Sequence, residues 1–172
     1  KMEKDYGKKV YNILQLRYHP SLVKLKNKVD KSDNKKVFDV DLTYITPRGN
    51  WYYSSWKGDI NKSGGISTNI GIHFFDILQW IFGSLKNNIV HIHNHDRASG
   101  YLEFQKARVR WFLSIDKSLL PNKNDVAYRS IKVDNSEVEF SNVFHDLHTE
   151  SYKQILNNNG YSLVDCINSI EI

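Results

Sequence analysis

Along residues 37–46 apolar and polar positions alternate, with Phe38, Val40, Leu42 and Tyr44 on one side, which predicts a strand with one buried face. Residues 10–16 are rich in β-formers and read as an earlier strand, preceded over residues 4–9 by what looks like the end of a helix. Pro20 then opens a helix whose apolar positions Leu22, Leu25 and Val29 keep helical spacing, before a polar loop over residues 30–36. The strongest helical pattern covers residues 66–82, follows Ser63-Gly64-Gly65 and is stopped by Gly83.

Beyond that helix the pattern turns to β, over residues 89–95, 101–105, 107–115, 130–133 and 137–140. Short links at residues 97–100 and 134–136 predict hairpins, hence an antiparallel meander. Val109, Trp111, Leu113 and Ile115 fall on one face of the 107–115 strand and Arg108, Arg110, Phe112 and Ser114 on the other, so neither face reads as plainly wet. A last helix is predicted over residues 146–156, ending at Asn157-Asn158-Asn159-Gly160, and residues 163–169 begin another. The expected fold is α+β: a mostly antiparallel open sheet with helices packed on one face.

Composition narrows the class. With 172 residues, 40% hydrophobic and 13% aromatic, the chain can build one core and is not compositionally disordered. No apolar run approaches the roughly 20 residues that cross a bilayer, and the charged start lacks the apolar stretch of a signal peptide, so no membrane association and a cytoplasmic location are expected. The single cysteine, Cys166, fits a reducing compartment. The net charge of +5 is concentrated: residues 1–36 hold ten Lys and one Arg against four acids. These lysines read as the solvated face of an amphipathic helix, and with no recognition motif a nucleic-acid partner is not expected.

Candidate chemistry lies on the strong helix. Asn69, His73, Asp76 and Trp80 are spaced i, i+4, i+7 and i+11 and would share one face, while Ile70, Phe74, Ile77 and Ile81 form another. Gly71 sits between Asn69 and His73 although glycine costs about 1 kcal/mol in a helix, which suggests a close approach to the backbone, as at a ligand site. Histidine titrates near neutral pH and suits general-base work, but a lone helical histidine is more often a capped or core residue with no catalytic duty. The loop over residues 47–65 carries Trp51, Tyr52, Tyr53 and Trp56 among polar groups, and loops of this length are often functional. His91, His93 and His95 alternate along a strand and raise a rival reading, a metal-binding protein.

The stretch Gly64-Gly65-Ile66-Ser67-Thr68-Asn69-Ile70-Gly71-Ile72-His73 resembles the signature in the second domain of the glucose-fructose oxidoreductase and inositol dehydrogenase (Gfo/Idh/MocA) family. Gln15-Leu16-Arg17-Tyr18-His19-Pro20, residues 41–53, Ser55-Trp56-Lys57-Gly58-Asp59, residues 100–116 and Phe144-His145-Asp146-Leu147-His148 are similar to its branch of UDP-N-acetylglucosamine and UDP-N-acetylglucosaminuronate 3-dehydrogenases of bacterial surface-polysaccharide synthesis.

The resemblance implies a nicotinamide-dependent oxidoreductase that uses NAD and takes hydride from the 3-hydroxyl carbon of a UDP-2-acetamido sugar. It implies His73 as the catalytic base and Asn69 as a substrate hydrogen-bonder where many members have aspartate. Arg48, Asn50, Trp51, Ser55, Trp56 and Lys57 are implied in the loop that closes on the nucleotide sugar. Gln15, Arg17 and His19 are implied near the nicotinamide, with Arg17 also near the sugar. Residues 1–17 would be the end of a Rossmann nucleotide-binding domain, and residues 18–172 a substrate-binding and oligomerisation domain truncated at its carboxy terminus. A homo-oligomer through the sheet follows from the same resemblance. The family's Glu-Lys-Pro motif and a Gly-x-Gly-x-x-Gly fingerprint do not occur in this sequence, so NAD would be bound mainly by residues outside it, and the chain alone is expected to be inactive. A noncatalytic binding or assembly module of the same fold remains the alternative.

Overall fold

A computed structural model describes residues 2–139 and 146–172. A six-stranded mixed sheet runs β3-β4-β5-β2-β6-β7, built from β2 (Phe38–Ile45), β3 (Leu85–His93), β4 (Arg97–Phe104), β5 (Ala107–Ser114), β6 (Tyr128–Val133) and β7 (Ser136–Glu137). The meander over β3, β4 and β5 forms as predicted. The expected continuation of the meander from β5 into β6 does not form, however. β2 is inserted between β5, to which it runs parallel, and β6, to which it runs antiparallel. A parallel neighbour requires a crossover, and the helical connection after β2 supplies it.

One face of the sheet is the core. Phe38, Val40 and Leu42 of β2 align with Ala107, Val109 and Trp111 of β5, with Leu102 and Phe104 of β4 beside them, all buried. α2 (Pro20–Asp30) and α5 (Ile72–Phe82) cover this face. Leu22, Leu25 and Val29 of α2 are buried at the spacing the sequence shows. α5 buries Phe74, Phe75, Ile77, Leu78, Ile81 and Phe82, more than one stripe, because it lies between the sheet on one side and α2 and the chain's last segment on others. The opposite face of β5 is wetter than the alternation suggests: Arg108 and Arg110 are exposed, and Arg110 forms a two-pronged ion pair with Asp41 of β2.

Two hairpin links come out differently. The turn over Asp134 and Asn135 forms with both residues at positive φ, 49° and 63°, as a two-residue hairpin requires. Residues 97–100, expected as a link, lie inside β4, and the tight turn is Asn94 to Asp96, where the Asn94 N–H donates to the Arg97 carbonyl at 2.8 Å. Gly100 looked like a turn residue but serves a packing need, since a Cβ there would stand 2.8 Å from Trp111 Cζ2 and against the Ile89 carbonyl.

At the amino end, α1 (Met2–Tyr6) precedes a strand much shorter than the sequence predicts. β1 is only Tyr11–Asn12, paired antiparallel with β8 (Tyr161–Ser162), and residues Gln15–Tyr18 wind into a 3-10 turn. A run of β-formers without a longer ladder partner stays short, and here Leu14 and Leu16 are buried by turning inward instead. The predicted last helix is α6 (Leu147–Leu156), and the next is a 3-10 turn, Leu163–Cys166, leading into α7 (Ile167–Ile170). The strand expected over residues 137–140 reaches only Glu137, and Phe140 lies outside the described residues, as do Phe144 and His145 of the motif quoted above. No helix among the described residues is long and apolar enough to cross a membrane.

Candidate active site

The 47–65 loop is not irregular. It folds into α3 (Asn50–Ser54), a 3-10 turn (Trp56–Gly58) and α4 (Ile60–Ser63), capped by the side chains of Ser55 and Asp59. Gly64 ends α4 in the left-handed region at φ 71°, where a side chain would strain the backbone. The next helix begins with a π-helical stretch, Ser67–Gly71, before α5 proper. The wider turn changes how Asn69 is placed relative to the residues of α5, whereas His73 and Asp76 both lie beyond it on the regular helix.

Asn69 and His73 border a cavity of about 240 Å³ whose polar lining also includes Gln15, Tyr44, Arg48 and Arg129, with Leu16, Ile70 and Phe74 as its apolar wall. Four separate regions of sequence therefore converge: the 3-10 turn after β1, the end of β2 with its following loop, the α5 entrance, and β6. The Asn69 amide group donates to the Gly65 carbonyl at 3.2 Å and the Ser63 carbonyl at 3.4 Å. An aspartate could make neither bond, so the amide ties the loop to the helix and leaves its own oxygen to offer a ligand. The Gln15 Oε1 is buried with no protein donor. Arg129 lies over the Tyr44 ring at 5.2 Å, and Tyr44 packs on Phe74 at 4.9 Å.

His73 is half-buried. Burial holds its pKa below the ordinary imidazole value; the nearby Asp76 carboxylate works against this and His148 of α6 works with it. An imidazole biased toward its neutral form can take up a proton, and the two guanidinium groups that share its cavity can attract an anion.

Several residues expected at this site lie elsewhere. Arg17, expected at the sugar or nicotinamide, is buried and donates twice to Asp76. His19 is 1% exposed, and its Nδ1 accepts the Ser21 N–H, capping α2. Ser55 donates to the Tyr52 carbonyl at 2.8 Å and accepts the Lys57 N–H. Trp51 and Trp56 are each 57% exposed, and neither they nor Asn50, Ser55 or Lys57 borders the His73 cavity; the aromatic that plugs the loop is Tyr52. Trp80 lies under the Lys26 ammonium of α2, 5.6 Å from the ring centre. His93 stands over Gly65 and His95 packs on Tyr53, and among the described residues no three His, Cys, Asp or Glu side chains converge as a metal site. Tyr44 and Arg129 are the residues that the sequence did not reveal. They are cross-strand partners, and nothing local marks the register that brings them together.

Residues 33–132, more than half of the chain, match the family model described as the oxidoreductase family, C-terminal alpha/beta domain (GFO_IDH_MocA_C). The chain belongs to this family. Among solved structures, this oxidoreductase-family domain is similar to the WlbA (WbpB) dehydrogenase from Thermus thermophilus in complex with NAD and UDP-GlcNAcA, at 48% identity and a TM-score of 0.91, over 99% of this chain and 56% of that one. A second structure from Thermus thermophilus, with NAD and alpha-ketoglutarate, matches at 50% identity and a TM-score of 0.91 over 98% and 55%. The WlbA dehydrogenase from Bordetella pertussis shares the fold at 16% identity and a TM-score of 0.72, over 97% and 59%. The chain thus spans a little over half the length of the proteins it matches.

Proposed function

We propose that this chain is the substrate-binding part of an NAD-dependent dehydrogenase that oxidises the 3-hydroxyl of a UDP-linked 2-acetamido sugar, with UDP-N-acetylglucosaminuronate preferred over UDP-N-acetylglucosamine. The observation that carries the reading is the cavity in which His73 meets Arg48 and Arg129, with no acidic side chain among its described lining residues. The similarity to dehydrogenases solved with NAD and UDP-GlcNAcA supports the same substrate class. Residues 1–17 belong, on this reading, to the end of a nucleotide-binding domain, and surface-polysaccharide synthesis is the setting.

When bound, NAD supplies the hydride acceptor. Of this chain's residues Gln15 fits it, since its buried Oε1 lacks a protein donor and borders the cavity, where it can accept from a carboxamide N–H. His73 takes the proton of the 3-hydroxyl on its neutral imidazole as hydride leaves C3, so the products are a 3-keto sugar nucleotide, NADH and a proton. Asn69 orients the sugar through its amide oxygen. Arg48 and Arg129 meet carboxylate or diphosphate oxygens, and Trp51, Ser55, Trp56 and Lys57 close over the nucleotide only if their loop moves toward the cavity. A homo-oligomer through the outer sheet face, where Asp41 and Arg110 lie, belongs to the same proposal.

The direct test is NADH formation by the full-length protein with each of the two sugar nucleotides; turnover with neither would return the function to a noncatalytic module. An Arg129→Met variant separates the roles of the anion site. Loss of one charge-assisted contact is expected to raise KM for the uronate about tenfold or more and for the neutral sugar much less. Equal losses with both would assign Arg129 to the diphosphate.

A further inference from the structure

Arg17 and Asp76 form the most deeply buried ion pair among the described residues, at 7% and 2% exposure. The guanidinium donates from Nε to Oδ2 at 3.0 Å and from Nη2 to Oδ1 at 2.6 Å, so both carboxylate oxygens are engaged. Two further contacts come from the end of the chain. Nη2 also donates to the Asp165 carbonyl at 2.9 Å, and Ser169 Oγ donates to Asp76 Oδ1 at 3.1 Å. The Tyr161 ring lies 4.6 Å from the guanidinium carbon.

The positions of the partners matter more than the number of bonds. Arg17 follows Gln15 by two residues in the 3-10 turn, and Gln15 borders the cavity. Asp76 follows His73 by three residues on α5, about one helical turn away. The pair therefore joins two walls of the site from behind. A buried ion pair is a poor source of stability compared with apolar side chains of similar volume, because desolvation offsets most of the attraction. Core packing alone would not select it.

We propose that Arg17 is a positioning residue of this site: by closing both oxygens of Asp76 it fixes the start of α5 against the 15–18 turn and keeps the carboxylate from holding a proton on His73. The proposal rests on the function proposed above. The charged and titratable groups facing His73 are Asp76 on its own helix, His148 from α6, and Arg48, Arg129 and Tyr44 around the cavity. Of these, Asp76 alone is an acid that favours the imidazolium, and Arg17 offsets it. Without Arg17 the full carboxylate charge acts on His73, so the imidazole stays protonated to higher pH. Without the carboxylate the Arg17 cation acts alone, and protonation retreats to lower pH.

The test uses the full-length protein and the variants Arg17→Met, Arg17→Lys and Asp76→Asn. Two quantities are read: the pH profile of kcat/KM with the sugar nucleotide, and the titration of the labelled His73 imidazole by NMR without substrate. Arg17→Met is expected to move both titrations to higher pH and Asp76→Asn to lower pH, while Arg17→Lys, which keeps the charge, stays near the wild type. kcat in Arg17→Met is expected to fall about 10–100-fold, with KM changed less than about threefold. If Arg17→Met does not fold, the contrast between Arg17→Lys and Asp76→Asn decides the matter. Folded variants whose His73 titrates as in the wild type would overturn the proposal and leave the pair a structural clamp. A wild-type protein that makes no NADH would sink the functional reading instead, and the NMR titration would still judge the pair.

Discussion

Replacement of His73 by asparagine in the full-length protein is expected to lower kcat about 10²–10⁴-fold with the sugar nucleotide still bound, because a positioned general base contributes a factor of that order. Asparagine keeps a polar side chain of similar reach but accepts no proton near neutral pH, so the loss isolates proton transfer from packing. The sign of the pH dependence follows from burial. Desolvation lowers the His73 pKa, Asp76 opposes this and His148 adds to it, so the neutral, active form persists to lower pH than free imidazole allows. The wild-type kcat/KM should therefore decline on the acid side below the ordinary imidazole range, and the variant's residual activity should lack that limb. A variant with activity within a few-fold of the wild type, or with the same acid limb, would remove His73 from the chemistry.

What the sequence revealed is what a local pattern can carry. The apolar spacing of Leu22, Leu25 and Val29 and the alternation of Phe38, Val40 and Leu42 each report a buried face, and each face is buried. Pairing across the sheet has no local mark. That β2 lies between β5 and β6 depends on a parallel register between residues about seventy apart in sequence, and with it goes the meeting of Tyr44 and Arg129 at the cavity. Glycine misled in a consistent way. Gly100 read as turn and is strand because Trp111 lies across it. The π-helical stretch was equally hidden, and so was the partner of Asp76, which is held by Arg17 and does not border the cavity. Arg17 is the clearest case of a residue whose type was readable and whose role was not: a basic side chain at a strand end reads as a ligand contact until its partner, fifty-nine residues on, is seen.

Substitution of Gly71 by alanine is expected to destabilise the protein, against the usual preference for alanine in a helix. Alanine gains about 1 kcal/mol over glycine at a helical position. Here, however, its Cβ would stand 2.7 Å from Phe75 Cε2 and 2.9 Å from Leu113 Cδ1, both far inside contact distance. Phe75 has little room to yield, being 3% exposed and held edge-on to Trp111 at 5.2 Å, while Leu113 is fully buried in β5. Overpacking of this kind costs typically 1–3 kcal/mol, which exceeds the gain in propensity. A net loss of up to about 2 kcal/mol corresponds to a fall in Tm of up to about 8 °C for a domain of this size. The close approach that a glycine beside the histidine seemed to reserve for a ligand is thus made by the core. Because Gly71 lies between Asn69 and His73, relief of the clash by a shift of the helix start would displace both from the cavity, so kcat should fall by more than the loss of folded protein explains. A Tm unchanged or raised would mean that Phe75 turns aside and that the glycine is needed for access after all; a lowered Tm with kcat per folded molecule intact would confine the role of Gly71 to packing.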